Sequence, residues 1–527
     1  MSPQAMTAIE SPLSRGRGAG RRSRSALPPT PRHLATVDLG SNSFRLEVGR
    51  LEAGRYVRTD YLKEAVRQGG GLDAERRLTP AAMEAGLQCL ARFAERLRDF
   101  EAHEVRAVAT QTLREARNRD AFIEQANAVL GFPIEIISGR EEARLIYAGV
   151  CSKLPPMTDQ RRLVIDIGGR STELITGSGR EAHAMESYRL GSIAWSARYF
   201  AQGRFSAGNF EIARIAALAV LDEALESFGP GQWETVYGSA GTVGAIGRAL
   251  ECAGWPPGQI TVQGLQWLIE EMIEVGSSQH LHLPGIREDR REIIGGGTSI
   301  LSALFQLFQI DHLWVAEGGL RHGLVQDMLG QRPHKDMRED AVQHLCSSFG
   351  VDAGQSERVA LVAAHLFDLA HLPVIAPPER ATVRAKLVWA AKLHEIGTRV
   401  SHSDFHKHGA YVLQNADTPG FTLPEMQRLS LLVLGQRGKL RKLGDALDDA
   451  TLMLQVLCLR LAVLLCHARR PPELSSLQLQ MDAGPTRHMR LAFSSDWALA
   501  HPQSLHLLRA ESEAWEKTGW QFSLLER

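Results

Sequence analysis

LVIDIGGRSTELIT, from Leu163 to Thr176, is the stretch of sequence that decides the fold. Its apolar run contains one acid, Asp166, and breaks at Gly168-Gly169, after which the hydroxyls of Ser171-Thr172 lead into a second apolar run. Glycines let backbone N–H groups approach a phosphate, small hydroxyls add donors, and an acid at a strand end can hold a metal ion. The pattern therefore predicts a β-turn-β phosphate cradle.

A second copy of this design, ATVDLGSNSFRL, lies upstream from Ala35 to Leu46. There Asp38 ends the apolar run and is followed by a glycine, Ser41 and Asn42. Two such hairpins in two similar halves predict a cleft with a phosphate-binding turn on each wall. Alternating strand and helix patterns around both hairpins place the two halves in the α/β class.

The composition of the whole chain limits the class of protein and of partner. Its 527 residues, 44% of them hydrophobic, allow several domains. Sixty basic and sixty acidic residues balance, so no overall field favours nucleic acid, and an anionic ligand needs local cations. No apolar run approaches the roughly 20 residues of a membrane span. Six scattered cysteines suit reduced thiols, so we expect a cytoplasmic protein without an integral membrane segment.

Two further strand ends are predicted to supply side chains to the cleft. The strand Val105–Ala109 leads into a polar segment that contains Arg114, and ligands bind at strand ends in open α/β sheets. After the next strand, Ser138 and Glu141 have capping-box spacing, so one acid of this turn can serve the helix alone. The following acid, Glu142, is predicted to face the cleft and to orient a water molecule.

Glycine-rich segments later in the chain are predicted to add turns after strands. GSAGT at 238–242 follows a strand, GGGTS at 295–299 is predicted to start a helix, and a last strand and turn cover Leu313 to Gly319. One such segment is weak evidence. Several of them in two similar halves strengthen the prediction of an anion-binding cleft.

From about His334 the pattern becomes helical and rich in histidine. His394-Glu395 and the cluster from His402 to His408 are compared with the metal ligands of HD phosphohydrolases. The acid of the pair is Glu and not Asp, and isolated histidines are more often ordinary core or surface residues. The basic tract Gln436–Lys442 is interpreted as a solvated surface or a path for an anionic chain.

Five segments, in one order, carry a family resemblance: VDLGSNSF at 37–44, ATQTLREARN at 109–118, PIEIISGREEARLIY at 133–147, VIDIGGRSTEL at 164–174 and GSAGT at 238–242. Together they closely resemble the exopolyphosphatase and guanosine pentaphosphate phosphatase family. The fold of that family belongs to the actin, Hsp70 and sugar-kinase superfamily. The segment Leu393 to Phe421 looks like the helical HD-like third domain of longer bacterial members.

The predicted domain plan combines this resemblance with the composition of the chain. We expect a disordered basic tail at 1–32, ribonuclease-H-like domains at 33–152 and 153–330, an all-α HD-like domain at 331–486, and a small α+β C-terminal module at 487–527. The longer family members also imply a homodimer.

The resemblance further implies Mg²⁺-dependent hydrolysis of a terminal phosphoanhydride. Glu142 matches the catalytic base or water-orienting residue of the family. Asp38 and Asp166 would hold the metal ion, with Glu173 as a further candidate. The implied substrate-binding residues are Ser41, Asn42, Arg114, Gly168, Gly169, Arg170, Ser171 and Arg189.

One departure from the family pattern concerns Arg170. The second phosphate loop of the family commonly reads DIGGGST, whereas arginine takes the third glycine position here. A positive φ would strain it by about 1 to 3 kcal/mol. An ordinary φ would leave the guanidinium able to clamp a phosphate. A third alternative is that it fills the site and leaves a protein that binds phosphate without turnover.

The preferred interpretation is an exopolyphosphatase that trims inorganic polyphosphate. The nearest alternative is a guanosine pentaphosphate (pppGpp) 5′-phosphohydrolase that uses the same residues. A non-catalytic sensor of polyphosphate or nucleotide is the alternative of another class. An actin-fold sugar kinase is disfavoured, because no sugar-site pattern is found and Glu142 suits water activation.

Overall fold

The computed structural model of the protein describes residues 33–52, 55–155, 160–330, 337–370, 377–482 and 487–527. The tail predicted to be disordered, 1–32, lies outside the described residues. Within these ranges, two α/β halves precede a mainly helical C-terminal part. None of the helices described is both long and apolar enough to cross a membrane.

The first half is a mixed sheet with helices packed against it. Its elements are β1 (His33–Leu39), β2 (Phe44–Glu52), β3 (Arg55–Glu64), α1 (Pro80–Leu97), β4 (Val105–Ala109), α2 (Gln111–Glu115), α3 (Arg119–Leu130), β5 (Ile134–Ile136) and α4 (Gly139–Cys151). The described strands pair in the order β3-β2-β1-β4-β5, with β1 antiparallel to β2 and parallel to β4. Central strand β1 is buried from its second residue onward, as expected for a strand covered on both faces.

The second half repeats this arrangement. Its elements are β6 (Arg161–Ile167), β7 (Thr172–Ser178), β8 (Glu181–Tyr188), α5 (Ser192–Tyr199), α6 (Ala207–Leu221), α7 (Leu225–Phe228), β9 (Thr235–Ser239), α8 (Ala240–Cys252), β10 (Gln259–Thr261), α9 (Val262–Val275), α10 (Glu288–Phe308), β11 (His312–Val315) and α11 (Leu320–Met328). The described strands pair in the order β10-β11-β9-β6-β7-β8. Strand β6 is antiparallel to β7 and parallel to β9, as β1 is to β2 and β4, which confirms the predicted repeat.

The prediction that GGGTS starts a helix is wrong, because this segment lies in the interior of α10. A Cβ on Gly296 would lie 2.5 Å from the backbone nitrogen of Ser196. A Cβ on Gly297 would lie 2.2 Å from Cγ2 of Thr242. The glycines therefore let α5 and α8 pack closely against α10, and this packing positions the turns that precede those two helices.

Helices α4 and α11 cross at close range between the two halves. A Cβ on Gly149 would lie 2.0 Å from the carbonyl oxygen of Gly319, and one on Gly323 would lie 1.9 Å from the carbonyl oxygen of Leu145. A side chain at either glycine would collide with backbone, so the contact requires glycine. The crossing fixes α4, whose first turn carries Glu142, against the turn that precedes α11.

The C-terminal part is a helical bundle closed by a small sheet. Its elements are α12 (Met337–Ser348), α13 (Ala353–Leu369), α14 (Pro377–Lys392), α15 (Phe405–Asn415), α16 (Leu423–Gly435), α17 (Ala450–Leu465), β12 (Gln478–Asp482), β13 (His488–Phe493), α18 (Ser495–Ala500), α19 (Pro502–Trp515) and β14 (Gln521–Glu526). Strand β12 pairs with β13 across the boundary predicted at residue 487. Trp497, Trp515 and Trp520 share one apolar core with Leu457 of α17. The last segment therefore closes the helical core.

The helical part contacts the first half at the N-terminus of α4. The backbone N–H of Gly420 donates to Oε2 of Glu141 at 2.7 Å, and the backbone N–H of Arg140 donates to Oδ1 of Asp417 at 3.2 Å. The side chain of Ser138 caps α4 by accepting from the backbone N–H of Glu141, whereas the carboxylate of Glu141 pairs with Arg144 and Gly420 and does not complete the capping box. The loop before α16 thus supports the turn from which Glu142 projects.

Candidate active site

A cavity of about 300 Å³ lies between the two α/β halves. Both hairpin turns, the first turn of α4, the starts of α8 and α10 and the turn before α11 form its wall. The predicted site residues on this wall are Asp38, Ser41, Asn42, Glu142, Asp166, Gly168, Gly169 and Ser171. Those that do not line it are Arg114, Arg170, Glu173 and Arg189.

The two hairpin turns lie almost in contact. A Cβ on Gly169 would lie 3.1 Å from Cβ of Ser41, whose hydroxyl accepts a hydrogen bond from Oγ1 of Thr112 at 2.7 Å. The side-chain Nδ2 of Asn42 is buried and, among the described residues, has no acceptor. Asn42 lies on the cavity wall, and its side-chain amide is a donor of the kind that an anion-binding turn requires.

Three buried carboxylates on the wall have raised pKa values. Burial raises the pKa of Asp38 and of Glu142. Burial, opposed by the hydroxyl of Ser239, raises the pKa of Asp166 to about 7, and the charges of Glu142 and Asp38 add to the rise. Glu173 pairs with Asp166 in the β6–β7 register, and burial followed by the charges of Glu142 and Asp166 raises its pKa well above the ordinary value. Carboxylates held together in this way are stabilised by a nearby cation.

The donors at this wall suit a magnesium ion that is shared with a ligand. Mg²⁺ is usually held by one or two carboxylates, waters and substrate phosphate oxygens. Asp38 and Asp166 supply one buried carboxylate from each hairpin. In the part of the chain that the structure describes, no three His, Cys, Asp or Glu side chains converge as a complete metal site. Phosphate oxygens would therefore have to complete the coordination.

Arg114 faces Glu142 from behind the cavity. Its Nη1 donates to Oε2 of Glu142 at 2.7 Å and to the carbonyl oxygen of Ile137 at 3.1 Å. Its Nε and Nη2 both donate to Oε1 of Gln111, at 2.9 and 2.7 Å. The protein accepts four hydrogen bonds from this guanidinium, and the one to Glu142 orients that carboxylate. The assignment of Arg114 to the substrate stays a prediction.

The cations that do line the cavity were missed by the sequence analysis. This cation cluster consists of Arg45, Lys63, Arg248, Arg287, Arg290 and Arg321. The β1–β2 register places Arg45 opposite Asp38, so the two side chains lie on the same face of the sheet. The alternation of side chains along β2 could therefore have predicted that Arg45 lies near the cavity. The other five come from β3, α8, α10, α11 and the residue before α10, and no local pattern connects those segments.

Arg290 lies beside the N-terminus of α8. It is 8% exposed, and within the described residues no hydrogen bond or ion pair engages its guanidinium. A Cβ on Gly241 would lie 2.2 Å from its Nη2, so a glycine of GSAGT makes room for this side chain. Burial, followed by the charge of Arg45, lowers the pKa of Arg290 to about 10. Burial and the neighbouring charges of Arg290 and Arg45 lower the pKa of Lys63 to about 8.

Positive charge concentrated at a helix N-terminus attracts anions. The wall near Arg290 therefore has the charge to bind a second anionic group next to the two hairpin turns. Ala240, at the start of α8, has a φ of 69° and lies on the same wall. Strain of this kind, on the order of 1 to 3 kcal/mol, concentrates at ligand-binding sites.

Arg170 has neither the strained backbone nor the site-filling side chain considered from the sequence. It is not among the residues with positive φ, and its guanidinium points away from the cavity wall. Its Nη1 donates to the carbonyl oxygen of Gly69 at 2.8 Å, and its Nη2 donates to Oε2 of Glu115 at 2.7 Å. Arg189, the weaker candidate, is exposed and lies close enough to Glu115 to lower the pKa of that carboxyl together with Arg170.

The histidines of the helical part form no metal cluster within the described residues. Nδ1 of buried His394 lies 2.7 Å from the carbonyl oxygen of Ala391, and Glu395 accepts from Nη2 of Arg469 at 2.7 Å. The acid of the pair is therefore held by an arginine. The basic tract Gln436–Lys442 does not line the cavity.

Comparison with known proteins identifies related sequences along nearly the whole chain. The sequence model of the Ppx/GppA phosphatase family matches residues 58–332, and that of Ppx/GppA phosphatase domain III matches residues 337–512. A guanosine-5′-triphosphate,3′-diphosphate pyrophosphatase from Vibrio atlanticus (strain LGP32) is 36% identical over 504 residues, which are 95% of this chain and 99% of the relative.

Solved structures support the fold of the two α/β halves. An exopolyphosphatase from Cytophaga hutchinsonii ATCC 33406 superposes with a TM-score of 0.52 at 21% identity, covering 57% of this chain and 99% of that protein. An exopolyphosphatase-like protein gives a TM-score of 0.51 at 23% identity and covers 56% of this chain and 97% of that protein. The α/β class predicted for this region is confirmed, and the HD-like character of the helical part stays a prediction. The chain is a member of the Ppx/GppA phosphatase family, whose enzymes hydrolyse phosphoanhydride bonds.

Proposed function

We propose that this enzyme is a pppGpp 5′-phosphohydrolase. The observation that carries the proposal is the cation cluster, which shares one cavity with the two phosphate-binding turns. The substrate carries a 5′-triphosphate and a 3′-diphosphate on one compact nucleoside, so it needs two anion-binding regions at a fixed separation. The 36% identical Vibrio relative, named a guanosine-5′-triphosphate,3′-diphosphate pyrophosphatase, supports the same choice.

The 5′-triphosphate fits between the turns at 40–43 and 168–171, whose glycines, hydroxyl residues and Asn42 line the cavity. The 3′-diphosphate fits against Arg290, Lys63 and the N-terminus of α8. Within the described residues Arg290 has no hydrogen bond or ion pair, and Lys63 has an ion pair with Asp289 at 3.7 Å, so an anion bound there would compensate the buried charge of Arg290.

Glu142 is the proposed base. It lies at the cavity wall, close to both hairpin turns, and Arg114 holds its carboxylate in one orientation. Water oriented by Glu142 attacks the terminal phosphorus, the carboxylate accepts the proton, and the bond to the bridging oxygen breaks. The products are ppGpp and orthophosphate. The reaction needs no covalent nucleophile from the protein, because phosphoryl transfer depends mainly on positioning and charge stabilisation.

Mg²⁺ held by Asp38, Asp166 and phosphate oxygens would neutralise charge that develops on the leaving oxygen and on the transferred phosphoryl group. Glu173, which lies behind Asp166 and accepts from the hydroxyl of Ser187 at 2.8 Å, would support this wall from outside the coordination sphere. The metal requirement is part of the proposal.

Long-chain polyphosphate, the substrate preferred in the sequence analysis, becomes the second candidate. A polyanion of many identical units needs an extended basic path, and the basic tract Gln436–Lys442 does not reach the cavity wall. A catalytically silent sensor is disfavoured, because the chain belongs to a family of phosphoanhydride hydrolases and Arg170 leaves the cavity open.

Initial rates of orthophosphate release from pppGpp, GTP and long-chain polyphosphate, each with Mg²⁺, test the proposal. We expect kcat/KM for pppGpp to exceed that for GTP by at least about tenfold, since a hydrogen bond to a charged group contributes roughly 1.5–3 kcal/mol. GTP lacks the 3′-diphosphate and is the matched control. Faster turnover of polyphosphate than of pppGpp would instead identify an exopolyphosphatase.

A further inference from the structure

The side chain of Arg170 connects the two halves of the molecule. It projects from the second hairpin turn and reaches α2 and the 3₁₀ turn at 68–71, both of which belong to the first half. Its two hydrogen bonds, to Glu115 and to the carbonyl oxygen of Gly69, are 2.7 and 2.8 Å long. The side chains of Arg170 and Glu115 are 21% and 10% exposed, so the ion pair is largely shielded from water.

One line of hydrogen bonds leads from this ion pair to the proposed base. Oε1 of Glu115 accepts from Nε2 of Gln111 at 2.6 Å. Oε1 of Gln111 accepts two hydrogen bonds from Arg114, which in turn donates to Glu142 at 2.7 Å. Because each acceptor fixes the next donor, the position of Glu115 affects the orientation of Glu142.

A second line leads to the first hairpin turn. Gly69, which accepts from Arg170, donates its own backbone N–H to the carbonyl oxygen of Ser41 at 2.8 Å. A Cβ on Gly69 would lie 3.0 Å from both Cδ of Arg170 and Cβ of Ser41, so the three residues are packed against one another. The same guanidinium therefore supports both the base and a phosphate-binding turn.

We propose that Arg170 is a positioning residue, which clasps the second hairpin turn to the first half and thereby holds Glu142 and the first hairpin turn in register. The clasp acts through protein groups, since neither Arg170 nor Glu115 lines the cavity. Burial alone would raise the pKa of Glu115, and hydrogen bonds from Gln111 and Arg170 hold it below its ordinary value. The carboxylate is therefore charged and available to Arg170 at neutral pH.

The inference rests on phosphoanhydride hydrolysis in this cavity and not on the identity of the nucleotide. The role of Arg170 is tested with whichever substrate the wild-type enzyme hydrolyses fastest. The same experiment can therefore be done even if pppGpp is not the substrate. The variants are Arg170→Ala, Glu115→Ala and the double variant. Glu292→Gln is the matched control, because its ion pair with Arg67 at 3.6 Å also joins the two halves but is exposed.

We expect each single variant to lower kcat by about 10- to 100-fold, the usual effect of misplacing reacting groups, with little change in KM. The double variant should be no worse than either single variant, because both changes break one clasp. Arg170→Lys keeps the charge but offers a single donor group, so its kcat should lie between those of wild type and Arg170→Ala. Glu292→Gln should behave as wild type.

Three outcomes would overturn the inference. A kcat for Arg170→Ala within twofold of wild type would remove any positioning role. A rise in KM with unchanged kcat, not reproduced by Glu115→Ala, would mean that Arg170 binds phosphate directly. Fully additive losses in the double variant would mean that the two residues act separately. Thermal melting of each variant shows whether a loss of activity reflects unfolding, and Arg170→Lys then serves as the milder probe.

Discussion

Nη1 of Arg114 donates to Oε2 of Glu142 at 2.7 Å, and this ion pair joins the start of α4 to α2 at the back of the cavity wall. The arginine opposes the effect of burial on the pKa of Glu142, and its hydrogen bond restricts the orientation of the carboxylate. An ion pair that holds the carboxylate in one orientation is what a water-orienting group requires.

Replacing the base should abolish turnover without abolishing binding. Glu142→Gln should lower kcat by about 10²- to 10⁴-fold, the range typical of general-base catalysis, and leave KM nearly unchanged. Steady-state phosphate release measures both quantities. Glu95→Gln is the control, since this glutamate of α1 is exposed and does not line the cavity. Equal losses in both variants would contradict the assignment.

Removing the unpaired buried cation should have opposite effects on stability and binding. Arg290→Met should stabilise the ligand-free protein by about 1 kcal/mol or more, because it removes an uncompensated buried charge. It should also raise KM for pppGpp by about 10- to 100-fold through the loss of a charge-assisted hydrogen bond. Urea unfolding and steady-state kinetics test the two effects. The exposed Arg98→Met should change neither, and a destabilised Arg290→Met with normal KM would count against the anion-binding role.

The pKa of Lys63, lowered to about 8, predicts an alkaline limb in activity. Lys63 loses its charge in the free enzyme as the pH rises through about 8, so kcat/KM should fall there. Because the folded pKa lies below the ordinary value of 10.5, the charged lysine penalises folding at lower pH, and this penalty is relieved as the pH rises from about 8 towards 10.5. Lys63→Arg should move the limb to higher pH. An unchanged limb would assign it to another group.

The crossing of α4 and α11 should tolerate no side chain. Gly149→Ala places a Cβ 2.0 Å from the carbonyl oxygen of Gly319, so we expect a loss of about 1–3 kcal/mol or more in the free energy of unfolding. Gly208→Ala, in α6 and with open space around it, should be neutral or stabilising by up to about 1 kcal/mol. Denaturant unfolding of both variants measures the difference. Equal stability would mean that the crossing is looser than described.

Local patterns were enough to predict the parts of the site that a single hairpin or helix start determines. Asp38, Asp166 and the glycine turns follow from strand-turn-strand patterns, and Glu142 follows from its place in the first turn of α4. Each of these residues lies on the cavity wall, because the carboxyl ends of neighbouring strands meet at one edge of a sheet.

The arginines could not be assigned in the same way. An arginine side chain is long enough to reach several partners, and tertiary contacts decide which it takes. Arg114 and Arg170 sit next to the predicted turns in sequence but are engaged by Gln111 and Glu115 of α2. Arg290 is far from the turns in sequence, yet the packing of α10 against α8 brings it to the wall.

The fate of the attacking water tests the central claim most directly. The enzyme is supplied with pppGpp and Mg²⁺ in ¹⁸O-labelled water, and the label is followed by mass spectrometry in wild type and in Glu142→Gln. We predict one labelled oxygen in the released orthophosphate, unlabelled ppGpp as the nucleotide product, and almost no release by the variant. Label in the nucleotide, or labelled phosphate released at the wild-type rate by Glu142→Gln, would contradict attack on the terminal phosphorus by water that Glu142 orients.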